Sequence, residues 1–525
     1  MCSSDLPSLT PDGSARTATA SEPGARIVRT FAATAGQHLW AQVASPSIKT
    51  TATLLSPTGA TLATVVQQAY QIAPVELDVA SAPTSGTYRL VIDPWDAATG
   101  TWPYRIAAIT EAVVEIPADG ATRTIVTTVP GERIHRTFHA ATGRRLYAWV
   151  TSPETGTSGV LLAPDTTTLA SASGSGKKAY GLEVASSPAD GTYRIDLDPA
   201  GTNVGSFTLS VSEIAELAVP VIPDGTLRTA LTTLPGERVL RTFPATAGQR
   251  LFVHVDSPAG ATSVALLAPS GATVASATAN DTGTAVDAEA APVSVAETGT
   301  YTLVIDPANN GTGTYSYALS AITETSADVT PDGSARQTAI TLPGDRIIRR
   351  FAVTAGQRLY AAVTSPSAGT TLSILAPTGT SLVSETPSIA KPLFVDVEVG
   401  AAATTGLYSV VIDPASDATG TYAWSISAIT EGSAPQAPDG VSRDATTTMP
   451  GERIYRTFAV TAGQRIYARV TSGDGSMALE LRAPGGAVLD SATGNGSATA
   501  LDVEIDTAAE SGTYTVAVEI GRAHV

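Results

Sequence analysis

Five arginines recur in one setting. Arg29, Arg136, Arg241, Arg349 and Arg456 each stand two residues after an aliphatic side chain and two before a phenylalanine, as in Ile27 and Phe31. In an extended strand, residues i and i+2 share a face. Strict alternation would therefore direct the guanidinium inward. A buried charge without a partner costs roughly 3–5 kcal/mol, so the pattern points to a structural arginine–carboxylate clamp at the rim of paired sheets. Candidate partners are Asp12 and Asp93 with their equivalents, and Asp78, Glu183, Glu398 and Glu504. A ligand-binding guanidinium, or a β-bulge that turns the side chain to solvent, are the alternatives. An aromatic recurs on the outward parity of another segment: Trp40, Tyr147, Phe252, Tyr360 and Tyr467. Such rings form a ligand platform that stacks on sugars, or they pack beneath their own N-terminal segment or a neighbouring unit. Oxygen-rich loops supply a third chemistry. Asp93 with Asp96, Asp306 with Asn309 and Asn310, and Asp413 with Asp417 are candidate calcium ligands, and Asx turns are the alternative reading. The second copy offers only Asp198 and Asn203, so the pattern is uneven.

Catalytic chemistry finds no footing. His38, His135, His139 and His254 occupy no equivalent positions, which marks them as ordinary strand and loop residues. There is no Gly-x-Ser-x-Gly, His-Glu-x-x-His or phosphate-binding glycine loop. Cys2 is the only cysteine, which excludes internal disulfides and thiolate clusters. With 31 basic against 48 acidic residues the net charge is −17, contrary to the basic patch of a nucleic-acid binder. No apolar run reaches membrane-spanning length. The expectation is a protein with no catalytic residues, no cofactor other than a candidate calcium ion, no nucleic-acid partner and no membrane span.

These residues are positioned by repetition. The glycine of an Asp-Gly pair falls at Gly13, Gly120, Gly225, Gly333 and Gly440, at spacings of 107, 105, 108 and 107 residues. A Pro-Gly-x-Arg motif follows each, starting at Pro23, Pro130, Pro235, Pro343 and Pro450. A Gly-[Thr/Leu]-Tyr motif ends at Tyr88, Tyr193, Tyr301, Tyr408 and Tyr514. Units of ~107 residues are long enough to bury their own cores, unlike solenoid repeats of about 20–50 residues. Turn signals separate short runs rich in Val, Ile, Leu, Thr and Tyr, and no helical stripe appears. About eight strands per unit are expected. The predicted fold is all-β: five tandem jelly-roll-like β-sandwich repeats, the last truncated. The units span 7–115, 116–220, 221–328, 329–435 and 436–518. Short linkers closed by proline, such as Glu324 to Pro331 and Glu431 to Pro438, should limit motion between units.

Copy-to-copy comparison fixes the strand faces. After Ala-Gly-Gln, one parity holds Leu39, Ala41 and Val43, then Leu146, Ala148 and Val150, and so on, always apolar and therefore core-facing. Both ends look foreign. Residues 1–6 and 519–525 resemble translated sequencing adapter, and the fifth Tyr-x-φ-φ-φ series departs where Asp-Pro is due.

The series Phe351-Ala352-Val353-Thr354-Ala355-Gly356-Gln357-Arg358-Leu359, then Ala376-Pro377-Thr378-Gly379, then Gly406-Leu407-Tyr408-Ser409-Val410, resembles the bacterial pre-peptidase C-terminal domain. That family often carries an Asp with an aromatic where this chain has Arg136-Thr137-Phe138. The resemblance implies a β-sandwich module of secreted or cell-surface proteins, extracellular in location and accessory in role. The expected function is a non-catalytic structural or adhesive stalk segment. One alternative is an array binding extracellular glycan or matrix protein through its outward aromatics. Another is the accessory region of a secreted hydrolase, a peptidase above all.

Overall fold

The structure, a computed structural model, describes residues 8–46, 48–69, 73–153, 156–174, 179–257, 260–279, 285–386, 394–472, 477–494 and 499–520. Residues 1–6 and 521–525 of the adapter-like ends lie outside this set. The described residues are all-β, so no helix is long and apolar enough to cross a membrane.

The first unit shows the plan. Its strands are β1 (Ser8–Leu9), β2 (Arg16–Ala20), β3 (Ile27–Ala33), β4 (His38–Val43), β5 (Thr50–Leu55), β6 (Thr61–Gln67), β7 (Val75–Val79), β8 (Gly86–Pro94) and β9 (Gly100–Ile109). One sheet has the order β1-β3-β8-β5-β6, the other β2-β9-β4-β7. All pairs are antiparallel except β1 with β3. The second, third and fourth units repeat both sheets strand for strand. The count is nine per unit rather than eight, because a two- or three-residue strand precedes the Asp-Gly turn. In later units this strand (Val113–Glu115 in the second) pairs in parallel with the unit that follows it in sequence. By sheet membership it therefore belongs with that unit, three residues ahead of the joint that the turn signals suggest.

Alternation builds the core. In β8, Tyr88, Leu90 and Ile92 are fully buried, while Arg89 and Asp93 are not. The tyrosine of each Gly-[Thr/Leu]-Tyr motif bonds back to the chain: Tyr88 donates to the Thr84 carbonyl at 2.5 Å, Tyr301 to Glu297 at 2.8 Å and Tyr408 to Thr404 at 2.9 Å. Its ring packs on the phenylalanine two residues past the recurring arginine, at 5.8 Å for Phe31 and Tyr88. Each unit thus closes one apolar cluster between its sheets, and the five clusters share no residue.

The fifth unit differs. Its five-stranded sheet is present, and among the described residues its second sheet comprises Ile466–Ser472 and Thr499–Ile505. In the strand Gly512–Ile520, Glu519 stands at the position of Asp93, Asp198, Asp306 and Asp413 and pairs opposite Arg453.

Candidate junction site between units

β4 points two ways. Leu39, Ala41 and Val43 enter the core, and His38 and Trp40 project from the other face, where Trp40 meets the second unit. There the Pro130-Gly131 turn lies flat on the indole. Gly131 has φ +81°, and a Cβ built on it would stand 2.4 Å from Trp40 Cγ. Glycine is required twice over, by the left-handed backbone and by the contact. The geometry repeats with Gly236 on Tyr147 (2.3 Å), Gly344 on Phe252 (2.3 Å) and Gly451 on Tyr360 (2.4 Å). The Asp-Gly turn joins the same contact. A Cβ on Gly13 would meet Pro130 Cδ at 2.6 Å, and Gly120, Gly225 and Gly333 meet Pro235, Pro343 and Pro450 at 2.8, 2.5 and 2.5 Å. Small apolar clusters cross the joints: Trp40, Ala107 and Ile109 with Val129, and Tyr360, Ala362 and Ile429 with Met449.

Charge surrounds this contact. At the joint of the second and third units the Arg145 side chain is only 2% exposed. Its Nε donates to the Gly236 carbonyl at 3.0 Å, and it pairs with Glu183 at 2.9 Å, with Glu216 and Asp306 at 3.9 and 4.0 Å. Arg238, from the Pro-Gly-x-Arg motif of the third unit, holds Glu216 at 2.6 Å. At the next joint Arg250 bonds the Gly344 carbonyl and Glu289, and Arg346 holds Glu324 at 2.8 Å and Asp413 at 3.4 Å. At the fourth, Arg358 bonds the Gly451 carbonyl and Glu398, and Arg453 spans Glu398 and Glu519 at 3.2 and 3.0 Å. A buried guanidinium is tolerated here because carboxylates and a carbonyl satisfy it together.

The first joint carries a substitution. His38 stands where the others have arginine, 2.7 Å from Glu111 and 3.3 Å from Asp78. Arg133 pairs with Asp78 at 2.7 Å and Asp198 at 3.2 Å. His135 closes the group, 2.9 Å from Glu111 and 2.6 Å from Asp196. Burial pushes His38 down, but hydrogen bonds to Asp78 and Glu111 outweigh it and hold its pKa up at about 9. Hydrogen bonds to Asp196 and Glu111 raise His135 to about 9 against the opposing effect of burial. Burial would raise Glu111, yet the bonds from His135 and His38 bring it down to about 2. These are not ordinary strand histidines.

The recurring arginines read as clamps are not the paired ones. No carboxylate lies within ion-pair distance of Arg29, Arg136, Arg241, Arg349 or Arg456 among the described residues. Arg29 and Arg241 donate to the hydroxyls of Tyr104 and Tyr317, at 3.1 and 2.9 Å, and lie over those rings at 5.8 and 5.7 Å. Arg349 bonds Thr338 and lies over Trp424 at 5.4 Å. All five donate to the carbonyl of the preceding residue. They sit half-buried at the sheet rim, where a hydroxyl, a carbonyl and a ring face suffice. The acids proposed as their partners, Asp78, Glu183 and Glu398, serve instead the residue after Gly-Gln or Gly-Arg and the arginine of Pro-Gly-x-Arg. Recurrence was the available signal for both. The strand-start residue was masked by its change to histidine in the first unit.

The aromatics divide four to one. Trp40, Tyr147, Phe252 and Tyr360 are buried under the following unit, which removes them as a platform, whereas Tyr467 is 54% exposed. The candidate calcium loops come to the same joints. Asp306 and Asp413 face arginines, and burial raises both. Asn309, at φ +62°, accepts the Tyr147 hydroxyl on its carbonyl at 2.6 Å. Asp417 lies 3.9 Å from His254, and Asn310 is exposed. Asp93 pairs with Arg26 at 2.9 Å, and Asp96 turns its loop at φ +58°. No group of three or more His, Cys, Asp or Glu side chains suited to a metal occurs among the described residues.

No protein-family model and no curated protein matches the chain. Among solved structures, it is similar to a pre-peptidase C-terminal domain of a collagenase from Bacillus anthracis, at 18% identity over 20% of this chain and 98% of that one, TM-score 0.17. The exported protein XepA of PBSX matches at 14% identity over 41% of this chain and 89% of that one, TM-score 0.17. An N-terminal tandem of two CBM22 domains from Paenibacillus barcinonensis matches at 10% identity over 40% of this chain and all of that one, TM-score 0.14.

Proposed function

We propose that the chain is a non-catalytic, extracellular spacer in which each unit is a jelly-roll-like β-sandwich locked to the next. The sandwich reading is supported by the interleaved strand order in paired sheets and by five separate cores. The spacer reading is carried by one observation: the turn glycine of each later unit lies on an aromatic of the unit before it. A flexible string of modules has no use for four copies of that contact. Its side chains hold the joint, so adhesion through the four covered rings is disfavoured. An accessory role beside a hydrolase is compatible with the same stiffness, since a spacer sets the distance between what it connects. Five units of ~35 Å diameter in line would extend roughly 150–180 Å. Small-angle scattering should give a maximum dimension in that range, with little change between low and moderate salt. A maximum dimension near half that value, or a broad distribution typical of hinged domains, would reject the spacer.

A further inference from the structure

The loop after the Gly-Thr-Tyr strand of the third unit carries an inference independent of the spacer reading. It joins Gly299–Pro307 to Gly313–Ile322 and contains Ala308-Asn309-Asn310-Gly311-Thr312. The second and fourth units close the same turn at the same place. The amides of Asn203, Gly311 and Ala418 donate to the carbonyls of Ala200, Ala308 and Ala415, each at 3.2 Å. Only the third unit places asparagine before glycine in this turn. The other units have Ala97-Ala98, Thr202-Asn203 and Asp417-Ala418 there. Asn310 is exposed, and among the described residues its side-chain amide has no hydrogen-bond partner. Gly311 lies outside both strands, so its amide is held by one long turn bond and not by a ladder.

We infer that Asn310-Gly311 is a self-modifying site: the chain converts Asn310 to aspartate and isoaspartate with water as the co-reactant, and the conversion loosens the joint of the second and third units. The deprotonated Gly311 amide nitrogen attacks the carbonyl carbon of the Asn310 side chain. A carbon–nitrogen bond forms, the bond to the side-chain nitrogen breaks, and ammonia leaves with the proton that the Gly311 amide gave up. Water then opens the cyclic imide. Attack at the side-chain carbonyl gives aspartate, and attack at the main-chain carbonyl gives isoaspartate, whose backbone runs through the side-chain carbons. No electron is gained or lost, and a negative charge is added. The nucleophile is the adjoining residue, and glycine brings no side chain to obstruct its approach.

The site lies against the joint. Asn309, one residue earlier, has φ +62° and accepts the Tyr147 hydroxyl on its carbonyl at 2.6 Å. Asp306, at the head of the loop, faces Arg145 at 4.0 Å. Isoaspartate lengthens the backbone directly after Asn309 and shifts the turn that presents this carbonyl. The new carboxylate stands where the fourth unit has Asp417, which faces His254 at 3.9 Å across its own joint. The second unit has Trp149 at the position of that histidine, so the same charge meets no equivalent cation.

The test ages the full chain in mildly alkaline heavy-oxygen water and maps its peptides by mass spectrometry. Heavy oxygen should enter at residue 310, with ammonia released in equal amount and both aspartate and isoaspartate formed, while Asn203 and Asn309 remain amides. Gly311→Ala, which copies the residue of the fourth unit at this place, should keep the fold and lose the labelling. Amide exchange around Gly236 should be about fivefold faster in the converted chain, the effect of losing one ordinary hydrogen bond, and unchanged in aged Gly311→Ala. Unlabelled Asn310, equal labelling of Asn203 and Asn309, or labelling that persists in Gly311→Ala would overturn the site. Unaltered exchange around Gly236 in fully converted chain would overturn its coupling to the joint.

Discussion

Replacing Gly131 by alanine tests the joint directly. The residue has φ +81°, where a side chain costs roughly 1–2 kcal/mol. The new methyl would stand 2.4, 2.7 and 2.8 Å from Trp40 Cγ, Cβ and Cδ2, against a favourable separation of about 3.5–4.0 Å. Those atoms are the root of the indole, attached to a core strand, so a rotamer change gives little relief. The turn must lift. Uncovering a ring that buries about 150–250 Å², at about 25 cal/mol per Å², costs some 4–6 kcal/mol, an upper bound on the coupling lost. Gly24→Ala is the matched control: it has φ +75° with nothing within 4 Å, so it carries the backbone cost alone. Fluorine NMR of fluorotryptophan-labelled protein reads the result, with the Trp40 resonance assigned through Trp40→Phe. In Gly131→Ala the Trp40 resonance should move and become sensitive to solvent and quencher. The buried Trp102 resonance should hold, since the core of the first unit is separate. In Gly24→Ala both should hold. A Gly131→Ala protein with unmoved Trp40 and the melting behaviour of Gly24→Ala would refute the reasoning.

Other outcomes follow from the same geometry. His38 and His135 are raised to about 9 from 6.5, so the stability they give the first joint is full below pH 6.5 and is lost as pH rises through about 9. Glu111, lowered to about 2, gives stability present above 4.5 and lost as pH falls through about 2. Trp40 exposure, followed against pH, should therefore rise above pH 6.5, and His38→Arg should flatten that rise. Arg358→Ala removes the buried guanidinium shared by Glu398, Glu431 and Glu519, leaving Arg453 alone on Glu398 and Glu519, and should cost up to about 3–5 kcal/mol, whereas Arg29→Ala, which breaks no ion pair, should cost about 1 kcal/mol in denaturant titration. Tyr408→Phe removes the bond to Thr404 and should destabilise the fourth unit by about 0.5–1.5 kcal/mol, seen as local exchange. Calcium should leave the melting temperature unchanged, because Asp306 and Asp413 already face arginine, and a calcium-dependent rise would show that the ion displaces those pairs.

The strand faces could be read from sequence because five copies vary independently around a fixed core. Leu39, Ala41 and Val43 are inward for the same reason their equivalents never become polar. The short parallel strand escaped because three exposed residues, such as Val113–Glu115, carry no alternation. Alternation alone points the clamp to Arg29 and its equivalents because it ignores position along the sheet: Arg29 sits at a rim where a hydroxyl can reach it. A contact between units is fixed by residues about 90 apart, Arg145 with Gly236 for example, and no local pattern announces that. Their recurrence together at one period was the trace of it.

Each of the three middle units carries both halves of the joint, a turn glycine with its arginine toward the unit before it and a ringed, acid-lined face toward the unit after it. An in-phase gene duplication would therefore insert a copy that fits both its new neighbours without further mutation. The first pair is the exception. His38, His135 and Asp196 form a matched set split over two units, where the third unit has Leu240 and Val304 in place of the last two. Shuffling would strand half of that set against a mismatched partner, so the leading two copies are the ones that must be inherited as a block.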